Sequence, residues 1–300
     1  MLPSAWLVSL SIAITEGVVA ITLNAVIIII CVKSMKNGVK LRPSDVIHII
    51  MAAANITLRG LLLSQSLGSL FLANYVTDSY YMVLVLLPFL MYFIFWLTAW
   101  LCAYYCATIT NFSHRLCVWV RQCLSAFLPH LLLLSGVGSL AISLPSIWTV
   151  FLKAQLQNPG NSTLSSAMVN GVVFTSLPYT VLANLLGSGL PFIFIITSLV
   201  VTVSSLLRHV CNMKGNDSGF TPNLQAHIHA VRTMILFLVL SAVFYTSVII
   251  VNAGASNFEG AMTITGWFII MLFPTAEAIV IIQGSSRLRK VFQLSFCVKN

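Results

Sequence analysis

Glu16, Arg59 and Glu277 stand deep inside long apolar runs of the chain, where a charge needs a partner. Counted at a helical rise from run ends near Val32 and Ser44, Glu16 and Arg59 lie at one depth, ~22–24 Å. The chemistry open to them is a buried ion pair, since each would otherwise be a lone charge in low dielectric. The alternative is that one of the two snorkels outward, both being in the outer half of their runs and arginine being long. Asn24, Asn55 and Glu277 fall lower, at ~12–16 Å from the same end. A carboxyl at that depth without an obvious cation either keeps its proton or holds a small cation, or it is one member of a neutral, hydrogen-bonded packing layer.

Other chemistries find no residues to carry them. The last apolar run, Gly260 to Gly284, has no lysine, so a Schiff base has no attachment point there. No glycine-rich phosphate loop, no Cys/His spacing for zinc and no serine with a histidine and an acid in one polar site can be found. No cofactor is expected. His114, His209, His227 and His229 fall at the edges of apolar runs, with His48 just inside one, a better place for a partner contact than for metal chemistry. Paired acids or histidines at one depth, which a membrane enzyme would use for proton transfer, are missing.

The elements that must position these groups are helices in a bilayer. Of 300 residues, 59% are hydrophobic and only 7% charged, too few to wet the surface of a water-soluble domain. Seven apolar runs are long enough to span, at about 6–31, 44–72, 80–111, 124–152, 178–207, 226–251 and 260–284, with 285–300 as a tail. The expected architecture is all-α, a single seven-helix membrane bundle. Residues 1–7 have no positive segment and the run after them is long, which predicts a first span in place of a cleaved leader. A transporter would call for broken helices and related halves, and no pairing between halves is visible.

Orientation follows from the bases. Lys33, Lys36, Lys40 and Arg42 fall in the first loop, Arg115 and Arg121 in the third, Arg208, Lys214 and Arg232 in or beside the fifth, and Arg287, Arg289, Lys290 and Lys299 in the tail. Lys153 alone lies on the other side, so the odd loops and tail are predicted to be cytoplasmic and the N-terminus extracellular. The net charge of +9 is thus spent in short loop clusters and does not gather on one face as a nucleic-acid binder requires. The triplet Asn161-Ser162-Thr163 falls in the long loop predicted outside, where a glycan could be attached. None of the seven cysteines lies in an outside segment, so no disulfide framework is expected. After Gly284, Ser285 and Ser286 open a short basic and apolar helix predicted to lie on the inner leaflet, and Cys297 beyond it is a candidate for palmitoylation.

One stretch joins the two ends of this bundle. Met91 to Arg121 begins aromatic and uncharged and turns into Asn111, Ser113, His114, Arg115 and Arg121. Trp96 and Trp100 share a helical face, and Asn111 lies ~22 Å below Trp96 at a helical rise. The block of Trp96, Leu101, Tyr105, Ile109, Asn111-Phe112-Ser113-His114 and Trp119-Val120-Arg121 resembles the third span of the type 2 (bitter) taste receptors. Leu190-Pro191-Phe192, then Ser205-Leu206 with His209 and Met213, is similar to that family's fifth span. Ala226-His227 with Ala230 and Arg232, and Pro274 with Arg287-Leu288-Arg289, match its sixth and seventh. The likeness covers almost the whole chain. Asn55 stands where the family usually has arginine, with Arg59 one turn higher; Thr108 replaces a lysine, Arg115 a proline, and Glu277 and Ser285 a histidine and an asparagine. The chain resembles a divergent member, of the kind a non-mammalian vertebrate lineage would supply; vomeronasal type 1 receptors are the nearest family alternative and fit the span-five and span-seven blocks less well.

The resemblance implies a chemosensory G-protein-coupled receptor of the plasma membrane. A small bitter agonist would enter the outer half of the bundle, where Trp96, Trp100, Asn184, Ser188, Phe244, Tyr245 and Trp267 offer apolar and aromatic area with a few hydrogen-bonding groups. At the inner end Asn111, His114, Arg121, His209, Met213, His227 and Arg232 would form a basic rim for the C-terminal helix of a gustducin-like G protein.

Overall fold

The computed structural model describes residues 4–38, 41–71, 76–109, 115–148, 177–213, 222–257 and 260–297, and the side chains it describes lie within 11–38, 41–64, 85–108, 126–148, 178–208, 228–251 and 262–292. The described chain is helical: α1 Ser4–Lys36, α2 Pro43–Phe71, α3 Val76–Ile109, α4 Arg115–Ser143, α5 Leu177–Met213, α6 Pro222–Asn257, α7 Gly260–Gly284 and α8 Ser286–Cys297. Seven of these are long and apolar enough to cross a bilayer. In hydrocarbon no water can pair with backbone N–H and C=O groups, so each crossing closes its own hydrogen bonds as a helix. Several helices outrun the apolar runs that mark them, because intrahelical bonding continues past the greasy stretch. α1 and α6 extend at both ends, and α4 begins at Arg115 and runs unbroken to Ser143, with residues 146–148 helical again after a turn.

Local chemistry sets the ends near the tail. Asn37 donates its N–H to the Lys33 carbonyl, and the chain then turns at Gly38 with φ +76°, a left-handed conformation that a side chain would strain. Asp45 in the first turn of α2 accepts from the Arg42 N–H at 3.2 Å and pairs with Arg287 of α8 at 3.4 Å. Ser285 caps α8 by accepting from the Leu288 N–H at 3.4 Å. Leu288 is buried and Phe292 half-buried against the bundle, so α8 is pinned at one end by a cap, an ion pair and an apolar foot.

The helices form a ring in the order α1, α2, α3, α5, α6, α7 and back to α1, with α4 packed on the outside of α3. Two greasy clusters fill it. The one nearer α8, here the tail end, contains Ile27, Ile47, Met51, Leu97, Leu101, Met234, Phe237 and Ile281. The other contains Leu58, Leu62, Leu90, Ile94, Phe95, Phe244, Ile270 and Phe273. Between them, on the same helices, come Asn24, Asn55, Thr98 and Glu277, all buried. Large apolar side chains cover the outside instead: Ile12, Val18, Ile29, Leu133, Leu134, Val137, Ile193, Val200 and Val239 are exposed. A patch of that extent suits lipid and not water.

α5 is interrupted. Its α-helical pieces, Leu177–Asn184 and Leu190–Met213, are joined by a π turn at Leu185–Gly189, in which the Leu190 N–H reaches back to the Leu185 carbonyl. Pro191 has no N–H for the Gly187 carbonyl four residues back, and its ring would press on that carbonyl; widening the preceding turn relieves both. Gly187 makes the widened turn possible, since a Cβ there would lie 2.4 Å from the Tyr92 ring. Gly187→Ala is expected to push α5 off α3 and lower stability by about 1–3 kcal/mol, read as a fall in the unfolding midpoint of the purified protein. An unchanged midpoint would mean that Tyr92 yields freely.

Candidate functional site

The structure brings Glu16 and Arg59 together. Arg59 Nη2 lies 2.5 Å from Glu16 Oε2, with the two side chains 1% and 11% exposed. Arg59 also donates to the Ala13 carbonyl, and Thr275 of α7 donates to Glu16 Oε1 at 2.5 Å. The pair therefore ties α1 to α2 and α7. It is charge-assisted but incomplete, because Arg59 Nε and Nη1 are buried with no hydrogen-bond partner among the described residues.

The second polar layer is also assembled. Asn55 Nδ2 donates to Glu277 Oε2 at 2.7 Å and to Asn24 Oδ1 at 3.4 Å. Asn24 Nδ2 donates to the carbonyls of Ala20 at 2.9 Å and Pro274 at 3.3 Å. Thr98 Oγ1 donates to Glu277 Oε1 at 3.0 Å, within equal reach of the Ile94 carbonyl. Sequence reading missed Thr98 and the Pro274 carbonyl. A threonine can satisfy itself on its own helix and so gives no signal in the sequence, and a backbone carbonyl gives none at all.

Closer to the opposite end, the aromatic candidates gather where α3, α5 and α6 meet. Half-buried Trp96 stacks on Trp100 with ring centroids 6.1 Å apart and leans on Phe194 of α5 at 6.1 Å. Tyr92, one turn before Trp96, donates its hydroxyl to Asn184 Oδ1 at 3.4 Å. Ser188 is buried in the π turn, and Tyr245 of α6 stacks on Phe192 at 6.3 Å. Trp267 packs, half-buried, on the cluster that holds Phe95 and Phe244. Tyr92 and Phe194 were not among the residues expected, although Tyr92 stands four residues before Trp96 and so shares its face.

Two candidates differ in setting from the others: Phe244, and Trp100, which still meets Trp96 at 6.1 Å and Phe194 at 6.2 Å. Phe244 is 1% exposed, locked between Phe95 at 5.5 Å and Phe273 at 4.1 Å, so its ring is interior packing beneath the aromatic group. Trp100 was expected in the outer half, but it lies two residues past Thr98, ~3 Å towards the tail end at a helical rise, and packs on the tail-end cluster. Its indole N–H donates to Ser135 Oγ of α4 at 2.8 Å, which turns its polar edge away from the ring of helices.

At the tail end, Arg232 is exposed on α6. Asn111, His114 and the glycosylation candidate Asn161 lie outside the described residues, as do the side chains of Arg121, His209, Met213, His227 and Cys297.

The chain as a whole is similar to known proteins. The family model described as taste receptor protein (TAS2R) matches residues 1–300. The chain belongs to that family. Taste receptor type 2 member 9 of Homo sapiens is 27% identical over 189 residues, covering 61% of this chain and 59% of the relative. Member 40 of Gallus gallus is 27% identical over 188 residues, covering 61% and 59%. Member 143 of Rattus norvegicus is 25% identical over 193 residues, covering 63% and 64%. Each aligned stretch thus spans less than two thirds of either protein. TAS2R proteins are receptors, not enzymes, and seven spans suit that assignment.

Proposed function

We propose that the protein is a chemosensory receptor of the bitter type, in the plasma membrane with its N-terminus outside. A small organic agonist is held where α3, α5 and α6 meet, and the tail end engages a gustducin-like heterotrimeric G protein. The observation that carries this reading is the gathering of Trp96, Phe194, Tyr92, Asn184 and Tyr245 beside a π turn. Aromatic faces supply area at low rotamer cost, and the Asn184 amide and Ser188 hydroxyl can fix orientation. π turns also recur at functional sites.

Trp100 and Phe244 enter the proposal differently from the rest. Trp100 backs Trp96 from below, and Phe244 is the floor of the cup; Trp96, Asn184, Ser188, Tyr245 and Trp267 form its contacts. No described carboxylate borders the aromatic group, so a cationic agonist is not required. At the other end Arg232 supplies one base of the docking rim, to which Asn111, His114, Arg121, His209, Met213 and His227 contribute by the family pattern.

The test is calcium release in cells expressing the chain with a chimeric G protein, against a panel of bitter compounds. A response absent from untransfected cells is expected, and Trp96→Ala should weaken an active compound about tenfold or more, equivalent to ~1.4 kcal/mol. Unchanged potency at normal surface expression would remove Trp96 from the cup.

A further inference from the structure

The layer around Glu277 has a property that agonist binding does not use. Four side chains from α1, α2, α3 and α7 meet there, Asn24, Asn55, Thr98 and Glu277, at 0%, 0%, 2% and 0% exposure. Among the described residues, the side-chain hydrogen-bond donors that reach Glu277 are neutral: the Asn55 amide and the Thr98 hydroxyl. The guanidinium on the same helix as Asn55, one turn along, is committed to Glu16. Oxygen is in surplus. Asn55 Oδ1 is buried and has no hydrogen-bond partner among the described residues, while Asn24 Oδ1 has one long amide contact at 3.4 Å.

We propose that this layer is a binding site for a small monovalent cation, sodium, held by the Glu277 carboxylate with Asn55 Oδ1, Asn24 Oδ1 and Thr98 Oγ1. Hard cations take oxygen ligands, and a site of carboxylate, amide and hydroxyl oxygens without nitrogen or sulfur fits no soft metal. One carboxylate balances one positive charge; a divalent ion would leave a net buried charge. The side chains can change partners without backbone movement. Thr98 Oγ1 can give its hydrogen to the Ile94 carbonyl, already at 3.0 Å, and turn a lone pair to the ion. The Asn55 amide can turn over, exchanging Nδ2 for Oδ1 beside Glu277 Oε2 at 2.7 Å. Two oxygens at that separation require a positive charge or a proton between them. Binding would draw α1, α2, α3 and α7 together at the level separating the two apolar clusters.

The site does not depend on any agonist, so it is tested on the purified full chain in lipid nanodiscs with sodium alone as the probe. Thermal unfolding is followed in sodium chloride and in choline chloride at equal ionic strength. Sodium is expected to raise the midpoint by roughly 2–5 °C and to saturate, as a ligand of the folded state does. Glu277→Gln should unfold cooperatively and lose the sodium shift. Should that variant fail to fold, Asn55→Ala provides the second reading, with the half-saturating sodium concentration raised about fivefold or more. A wild-type midpoint indifferent to sodium overturns the proposal and leaves Glu277 as a protonated hydrogen-bonding group. A sodium shift retained in full by the variants that fold also overturns it.

Discussion

Replacing Glu16 alone with leucine is expected to destabilise the bundle by about 3–5 kcal/mol, because Arg59 is left as a buried charge with little to answer it. Arg59 Nε and Nη1 already lack partners among the described residues, so without Glu16 the guanidinium keeps only the Ala13 carbonyl. Snorkelling is blocked as well, since Arg59 is fully buried and α1 lies directly over it; a Cβ on Gly17 would sit 3.1 Å from Arg59 Nε and 2.7 Å from Leu63. The double replacement Glu16→Leu with Arg59→Leu removes both charges and should do much less harm than either single change. A double-mutant cycle on unfolding midpoints or surface expression measures the difference. Additive damage, with the double variant as poor as the sum of the singles, would mean that the two side chains act through packing and not as a pair.

This pair was legible in the sequence for a reason that does not extend to the whole site. Charges within apolar runs are scarce, so two of opposite sign at one helical depth on consecutive runs have few other places to go. The seven crossings were legible on similar grounds, since hydrocarbon allows the backbone no alternative to the helix. What the sequence hid depends on neighbours that periodicity cannot name. Pro191 marks some disturbance in α5, but the sequence alone names neither the π turn at Leu185–Gly189 nor the Tyr92 ring that lies against Gly187 within it. Trp96 and Trp100 look equivalent as a pair on one face. Both meet Phe194, at 6.1 and 6.2 Å, but Trp100, four residues along α3, also donates to the Ser135 hydroxyl on α4 and packs on the tail-end core. Hydropathy also marks where a helix enters lipid and not where it stops, so α4 could begin at Arg115 without any signal from its apolar run.

Phe244→Ala is the other large effect, and it separates packing from recognition. The ring meets Phe95 and Phe273 at tilted angles in a three-ring cluster with centroids 4.1 to 6.4 Å apart, and all three side chains are at most 4% exposed. In a water-soluble core, removing such a ring costs about 3–5 kcal/mol, part of it transfer from water and part the cavity left behind. Within a bilayer the transfer part shrinks, because lipid tails are as apolar as the core, while the lost dispersion contacts and the cavity remain. A loss of about 2–4 kcal/mol is therefore expected, seen as a lower unfolding midpoint with no agonist present. Phe244→Leu should recover most of it by filling the volume. If Phe244 is the floor and not a wall of the cup, the agonist concentration giving half-maximal response should be nearly unchanged in Phe244→Leu, whereas Trp96→Ala shifts it. A Phe244→Leu variant of normal stability whose response to agonist is lost would instead put the ring in contact with ligand, and the cup would then reach down to the level of Phe273.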